Sequence, residues 1–290
     1  MSIFVKTNIK IVASPMNYIG GKAKLLPQIL PLFPDKIDTF YDVFTGGGNI
    51  SANITAKQIK ANDLNHYVIQ ILEMFKNWDT NKILKHIDDL IGLYNLSKEN
   101  KDGFLKLRQD YNKNPNPIAL YTLVCYSFNY QFRFNNNHEY NNPFGANRSC
   151  FSDKLREKLI CFTNKLKQQN ISFHTNAFDD FLSTQEFKDD DFVYLDPPYL
   201  ITTGSYNDGN RGFKDWTLKQ ENKLYEVLNT LDSNNVKWAL SNVIEHKGLI
   251  NQSLLDFSKN FTVHPLHNSY ANSSYNTTRT QSIEVLVTNY

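Results

Sequence analysis

A carboxylate, two prolines and an aromatic ring, Asp196-Pro197-Pro198-Tyr199, follow the apolar run Phe192-Val193-Tyr194-Leu195. Successive prolines hold the backbone rigid and remove two amide donors, leaving carbonyls free to accept. Carboxylate, carbonyls and ring together suit a planar base that carries an exocyclic amine. A bare strand-end turn would use Pro and Asp as well, but the strand context with all four residues favours the base. A second constellation, Tyr41-Asp42-Val43-Phe44-Thr45-Gly46-Gly47-Gly48-Asn49-Ile50, runs from an apolar strand through three glycines toward a helix. Glycines let the backbone approach a ligand without Cβ clashes, and such a turn seats a nucleotide-like group at a sheet's C-terminal edge. A dinucleotide fingerprint would want glycine at position 51, which is Ser51 here, so a nucleotide pocket is expected and a dinucleotide is not called for.

One βα unit downstream, Ala61-Asn62-Asp63-Leu64-Asn65 puts an acid where a second strand would end. There it can accept both ribose hydroxyls of a nucleoside, or simply cap a helix; its spacing from the glycine turn favours the ribose. Tyr18-Ile19-Gly20-Gly21-Lys22 lacks the glycine spacing of a phosphate loop and, taken alone, is a turn before a helix. The histidines form no metal-ligand pattern, and His264 and His267 read as surface residues beside a strand end.

These motifs need a frame. Strand-like runs occur at Thr39–Phe44, Ile171–His174, Phe192–Leu195, Val236–Leu240, Phe261–Leu266 and Ile283–Val287, with helical patterns at Ser152–Gln169 and Leu218–Asp232. Strands alternating with helices imply an α/β sheet. From Tyr67 to Phe128 the apolar positions recur at helical spacing, and Phe134 to Arg148 is rich in turn residues and reads as a hairpin or loop. An α/β body interrupted by a helical insert that ends in a polar hairpin is the simplest organisation.

The 290 residues allow one large domain or two small ones. The longest apolar run, Ile118 to Phe128, is about half of what a membrane-spanning helix needs. The opening MSIFVKTNIK has no export signature, so a cytoplasmic protein without a membrane partner is expected. Three cysteines without paired spacing argue against a disulfide frame or a cysteine zinc site. Net charge is only +2, but Leu96–Lys158 carries 10 basic and 6 acidic residues while Leu159–Pro198 carries 3 and 7. A basic middle suits a lobe that faces a polyanion, although a solvated charge imbalance would look the same. The 36 asparagines identify no function.

Taken in order, Tyr18–Lys22, the DVFTGGGN turn, NDLN and DPPY, with a long insert before DPPY, resemble the Dam-type N6-adenine DNA methyltransferases. Asn129-Tyr130-Gln131-Phe132-Arg133-Phe134-Asn135 and Asn142-Pro143-Phe144-Gly145 look like that family's target-recognition segment. The run DFVYLDPPYLITTGSYN and Ser241-Asn242 look closest to its phage branch. The resemblance implies a Rossmann-like, S-adenosylmethionine-dependent sheet from 1–66 and 159–290, with a helical target-recognition insert over 67–158 that ends in a β-hairpin. It implies methyl transfer to a flipped adenine in double-stranded DNA, most simply at GATC, with no metal. By position, Tyr18, Lys22, Asp63 and Asp196 match residues that hold the cofactor, with Phe44, Gly46 and Gly48 as its floor. Asp196, Pro197 and Tyr199 would do the chemistry, and Asn129, Gln131, Arg133, Pro143 and Arg148 would meet DNA. Gln131 stands where the family usually has Leu or Met, and Asn17 where some bacterial relatives have lysine, so another target stays open. A restriction endonuclease acting on the same site is a possible partner.

Alternatives differ at identifiable residues. A cytosine-N4 methyltransferase usually has Ser in place of Asp196, and a protein-glutamine or RNA methyltransferase Asn. A non-catalytic DNA-binding module would not bind the cofactor. A dehydrogenase is disfavoured by Ser51.

Overall fold

The computed structural model describes residues 11–205, 216–267 and 282–290; the opening decapeptide and Tyr206-Asn207 of the DPPY run lie outside them. Among the described residues the strands are β1 (Thr39–Asp42), β2 (Gln58–Asn62), β3 (Ile171–His174), β4 (Phe192–Leu195), β5 (Lys237–His246), β6 (Leu249–Ile250), β7 (Thr262–Leu266) and β8 (Ser282–Thr288). They form one sheet in the order β3-β2-β1-β4-β5-β8-β7, with β6 paired to β5. β1 to β5 run parallel, and β8 is antiparallel to both β5 and β7. The order reverses between β1 and β4, the place where open α/β sheets bind ligands beyond their C-terminal strand ends.

All four residues of β4 are buried, as expected of a strand covered on both faces. On one face Trp238, Leu240, Val193 and Leu224 pack together; on the other, Phe40, Phe192, Tyr194 and Leu286 do. β5 is longer than its apolar run because Ser241 to His246 pair with β8, so the strand continues past the level at which β4 ends. There Tyr194 and Ser241 share a 2.8 Å hydroxyl–hydroxyl bond.

The helices are α1 (Leu26–Ile29), α2 (Asn49–Asn53), α3 (His66–Asn77), α4 (Thr80–Leu93), α5 (Lys101–Lys113), α6 (Pro117–Tyr126), α7 (Asp153–Gln168), α8 (Phe178–Ser183), α9 (Leu218–Ser233) and α10 (Gln252–Ser258). The helical middle is thus four helices, α3 to α6, separated by caps. Asn65, Asp79, Asn100 and Asn116 each accept N–H bonds from the first turn that follows, which puts part of the asparagine excess to structural use. The longest apolar run forms α6, buried at every position from Ala119 to Tyr126. A helix apolar all round belongs at the centre of a bundle; none among the described residues is long and apolar enough to cross a membrane.

Residues 66–170 leave the sheet after β2 and return at β3, its neighbour. The polar stretch at the end of this excursion, expected as a hairpin or loop, is an antiparallel reversal closed by single bridges, Phe134 with Tyr140 and Ser127 with Phe144. Its tip bends through the Asn135 side chain, which accepts from the backbone of Asn137 and Glu139, and through His138 at φ 60°. Such side-chain turns compete with ladder formation. Phe134 anchors the reversal, stacking on Tyr67 of α3 at 4.0 Å.

Candidate active site

The turn after β1 is built by its small residues. Gly46 and Gly48 have φ of 48° and 74°, a region that penalises side chains. A Cβ on Gly46 would lie 3.0 Å from the Tyr18 ring, which is how closely residue 18 covers the turn. Asn49 and Asn53 of α2 hold the chain before Tyr18 in place: Asn49 accepts from Ser14 N, and Asn53 bonds both N–H and C=O of Val12. Ser51, at the missing glycine position, donates to the buried Asp42 carboxylate at 2.5 Å, and Thr45 donates at 2.9 Å. Burial pushes the Asp42 carboxyl up to about 7 against these bonds, with Asp196 and Asp63 adding to the rise.

Asp63 lies one residue past β2, half-buried, and does not cap α3; Asn65 does. Its two oxygens accept from Gly46 N and Asn65 N, each at 2.8 Å. It therefore ties the glycine turn to the start of α3. Burial pushes this carboxyl up to about 6, with the two backbone bonds opposing. Asn62 donates to Val43 O and Asn176 O, fixing the ends of β1 and β3 to one another.

Around this turn opens a cavity of about 440 Å³, within the size range of small-molecule sites. Tyr18, Lys22, Phe44, Gly46, Asp63, Asp196 and Pro197 all line it. Two expected residues do not. Gly48 points toward Leu72 and Phe162, beneath the turn, and serves as N-cap of α2. Tyr199 is only 6% exposed and stands behind Asp196. Three aromatic rings that line the cavity, Phe44, Phe178 and Trp216, sit with centroids 5.7 Å apart in every pair, and offer flat apolar walls. Trp216 is held from behind by the fully buried Glu221, which accepts its indole N–H at 2.5 Å.

Beyond β4, Asp196 Oδ1 accepts from Lys22 Nζ and from the Tyr199 hydroxyl, each at 2.9 Å. Glu284 of β8 receives the same hydroxyl at 3.0 Å and lies 3.4 Å from the same ammonium. Lys22 also sits over the Tyr199 ring, 4.9 Å from its centroid. Burial raises the Asp196 carboxyl above its ordinary range and Glu284 adds to that; Lys22 and Tyr199 oppose it.

The expected recognition residues Asn129, Gln131, Arg133, Pro143 and Arg148 do not line the cavity; their segment reaches it through Phe132. Phe132 lines the cavity and meets Tyr18 edge to face at 5.9 Å. Asn17 donates to the Asn129 carbonyl at 3.2 Å, and Asn129 and Tyr130 take φ of 56° and 55°. Strain of that kind gathers at functional sites. The segments bearing Gln131, Arg133 and Pro143 lie side by side, since Asn142 donates to Gln131 O and Asn141 N to Arg133 O. Pro143 is exposed, and the exposed Arg148 covers the Phe128 ring at 5.4 Å.

Glu284, Trp216 and Phe178 were missed by motif reading, and Phe132 was read within the recognition segment without a role of its own. Glu284 left one signal, a lone acid inside the apolar strand SIEVLVT. Trp216 left none, because its place in the wall depends on Glu221.

The parallel sheet, its switch-point cavity and its glycine turn define a Rossmann-like α/β protein. The family model of the D12 class N6 adenine-specific DNA methyltransferases matches residues 18–286. The type II methyltransferase M.FokI of Planomicrobium okeanokoites is 55% identical over 285 residues, covering 98% of this chain and 44% of its own length. The modification methylase StsI of Streptococcus sanguinis is 48% identical, covering 100% and 44%. The modification methylase LlaI of Lactococcus lactis subsp. lactis is 35% identical, covering 99% and 45%. This chain belongs to the D12 class of N6 adenine-specific DNA methyltransferases. It spans less than half the length of these three relatives.

Proposed function

We propose that this chain moves a methyl group from S-adenosylmethionine to the N6 amine of an adenine turned out of double-stranded DNA. One observation carries the reading: the nucleoside-sized cavity at the β1/β4 switch point is walled in part by Asp196 and Pro197. The residues suit that cofactor, with Asp63 for the ribose, the Phe44–Phe178–Trp216 walls for the purine, and the Asp63 and Asp196 carboxylates to favour a cationic sulfonium. When bound, the cofactor supplies an electrophilic methyl group.

The remaining work falls to the protein. An adenine amine is a weak nucleophile because its lone pair is delocalised into the ring. Extruding its base costs a few kcal/mol. Asp196 and the Pro197 carbonyl accept the two N–H bonds, favour a pyramidal amine, and aim its lone pair into the cavity. Tyr199 stacks on the base. Lys22 covers one face of that ring, so the base uses the other, and the present cover of the buried ring must give way. Positioning and electrostatics supply most of the acceleration.

The division into a catalytic body (1–66 and 159–290) and a recognition lobe (67–158) is supported by the single excursion between β2 and β3. Arg133 reads a guanine beside the target adenine, as in GATC. Asn129, Gln131, Pro143 and Arg148 supply further DNA contacts in this reading. A second reading, a modification methylase with a different site and a partner endonuclease in the same cytoplasm, is favoured by the 55% and 48% identity to M.FokI and StsI. Methylation-sensitive sequencing of DNA from cells expressing the chain reports base, atom and site together. Methyl on N6 of adenine is the expected result; methyl on cytosine, or none, would overturn the proposal.

A further inference from the structure

Asp196 already accepts two donors on one oxygen, the Lys22 ammonium and the Tyr199 hydroxyl, each at 2.9 Å. An arriving adenine amine brings a further donor to that carboxylate. Lys22 keeps the Gly20 carbonyl at 3.1 Å, but a buried ammonium still favours an anionic neighbour, so a second carboxylate is of use when Asp196 is drawn to the amine. Glu284 faces the same two donors, with Oε1 3.0 Å from the Tyr199 hydroxyl and 3.4 Å from Lys22 Nζ. Its position is fixed from both sides, since Glu284 pairs with Val243 of β5 and with Leu266 of β7. It is 4% exposed.

We infer that Glu284 is a positioning residue for methyl transfer. It is the second carboxylate, which takes over Lys22 and the Tyr199 hydroxyl when Asp196 turns to the adenine amine. The pair of acids lets one donor set be shared in the resting enzyme and transferred when substrate arrives, without a change of net charge. It also anchors the far edge of the Tyr199 ring, so that the ring keeps its plane for the base while its hydroxyl leaves Asp196. The inference rests on the reading that Asp196 accepts the amine.

The test is single-turnover methylation of a duplex at saturating S-adenosylmethionine by the full chain, with cofactor and DNA affinities measured separately. Glu284→Gln keeps the shape but loses the charge, and should slow the methylation step by about tenfold or more while both affinities stay within about threefold. Tyr199→Phe should also slow it, and the double variant should lose less than the product of the two single losses, since the two residues share the Tyr199 hydroxyl. A wild-type rate for Glu284→Gln, multiplicative losses in the double variant, or a cofactor affinity that falls in step with the rate would each overturn the inference. If Glu284→Gln does not fold, Tyr199→Phe decides alone: a slower rate supports it and a wild-type rate overturns it. Asp196→Asn separates the two claims. If that variant is dead while Glu284→Gln runs normally, only the inference falls; if Asp196→Asn is active, the reading of Asp196 falls too.

Discussion

Replacing Asp63 with alanine should weaken binding of S-adenosylmethionine by about 10- to 150-fold. The figure follows from one charge-assisted hydrogen bond, worth about 1.5–3 kcal/mol, at about 1.36 kcal/mol per decade. Each carboxylate oxygen spends one lone pair on a backbone N–H, from Gly46 and from Asn65, and keeps another for a ribose hydroxyl. The substitution also strips two N–H groups of their acceptor. Because Asp63 is half-buried beside an open cavity, water can replace part of that loss, so we expect about 2 kcal/mol of destabilisation. Titration calorimetry at a temperature where the variant is folded separates the two effects. A pH arm adds a signature that misfolding cannot mimic. With the carboxyl pushed up to about 6, the ionised fraction rises from about a tenth at pH 5 to about nine-tenths at pH 7. Affinity should tighten over that window in the wild type and change less in Asp63→Asn. Unchanged affinity in Asp63→Ala would return the residue to a purely structural tie between the glycine turn and α3.

Arg133→Ala should cost about 1–3 kcal/mol at one guanine and relax selectivity there, read by methylation of a set of single-substituted duplexes; equal weakening on every sequence, with a salt slope lower by about one, would make it a phosphate clamp. Gly48→Ala forces a side chain into φ 74° with Leu72 at 3.0 Å, and should lower stability by about 1–3 kcal/mol in a denaturant melt, more than it changes cofactor contacts, since Gly48 is outside the cavity wall. Asp42, lifted to about 7, is favoured in its neutral form by folding; its contribution is complete below the ordinary carboxylate range and is lost as pH rises through about 7. Asp42→Asn should therefore flatten part of the fall in melting temperature between about pH 5 and pH 8, and an unchanged fall would remove Asp42 as its source.

The central strand was legible because a buried parallel strand is a continuous apolar run: Phe192–Leu195 has the same bounds in sequence and structure, as does the half-buried Ile171–His174 at the sheet's edge. Ends set by pairing were not. β5 outruns its apolar core because β8 supplies ladder partners as far as His246, and the polar reversal fails to ladder because Asn135 offers the backbone a competing turn. Within the site, Tyr18, Lys22, Asp63 and Asp196 were visible as short motifs, each adjacent to its own strand or turn. Glu284 and Trp216 reach the same place from β8 and from the start of α9, and no local spacing records a meeting of that kind. Asn65 shows the reverse case: the sequence leaves Asp63 a capping role as the alternative to the ribose, and the geometry gives the cap to Asn65, two residues on.

The excursion between β2 and β3 leaves from the C-terminal end of β2 and returns to the N-terminal start of its parallel neighbour, so it spans the sheet's height as a crossover connection. A crossover can be lengthened at little expense to its host, since the closure cost of a long loop grows only slowly with length. Over evolutionary time such a lobe can drift, lengthen or be exchanged while the strands that carry the chemistry keep their register. In this chain, however, the cassette is not free-standing: Phe132 enters the cavity wall and meets Tyr18 of the body edge to face. An engineer grafting a foreign lobe here would have to carry over that aromatic, or rebuild its seat against Tyr18, before a new address on DNA could be read by an intact catalyst.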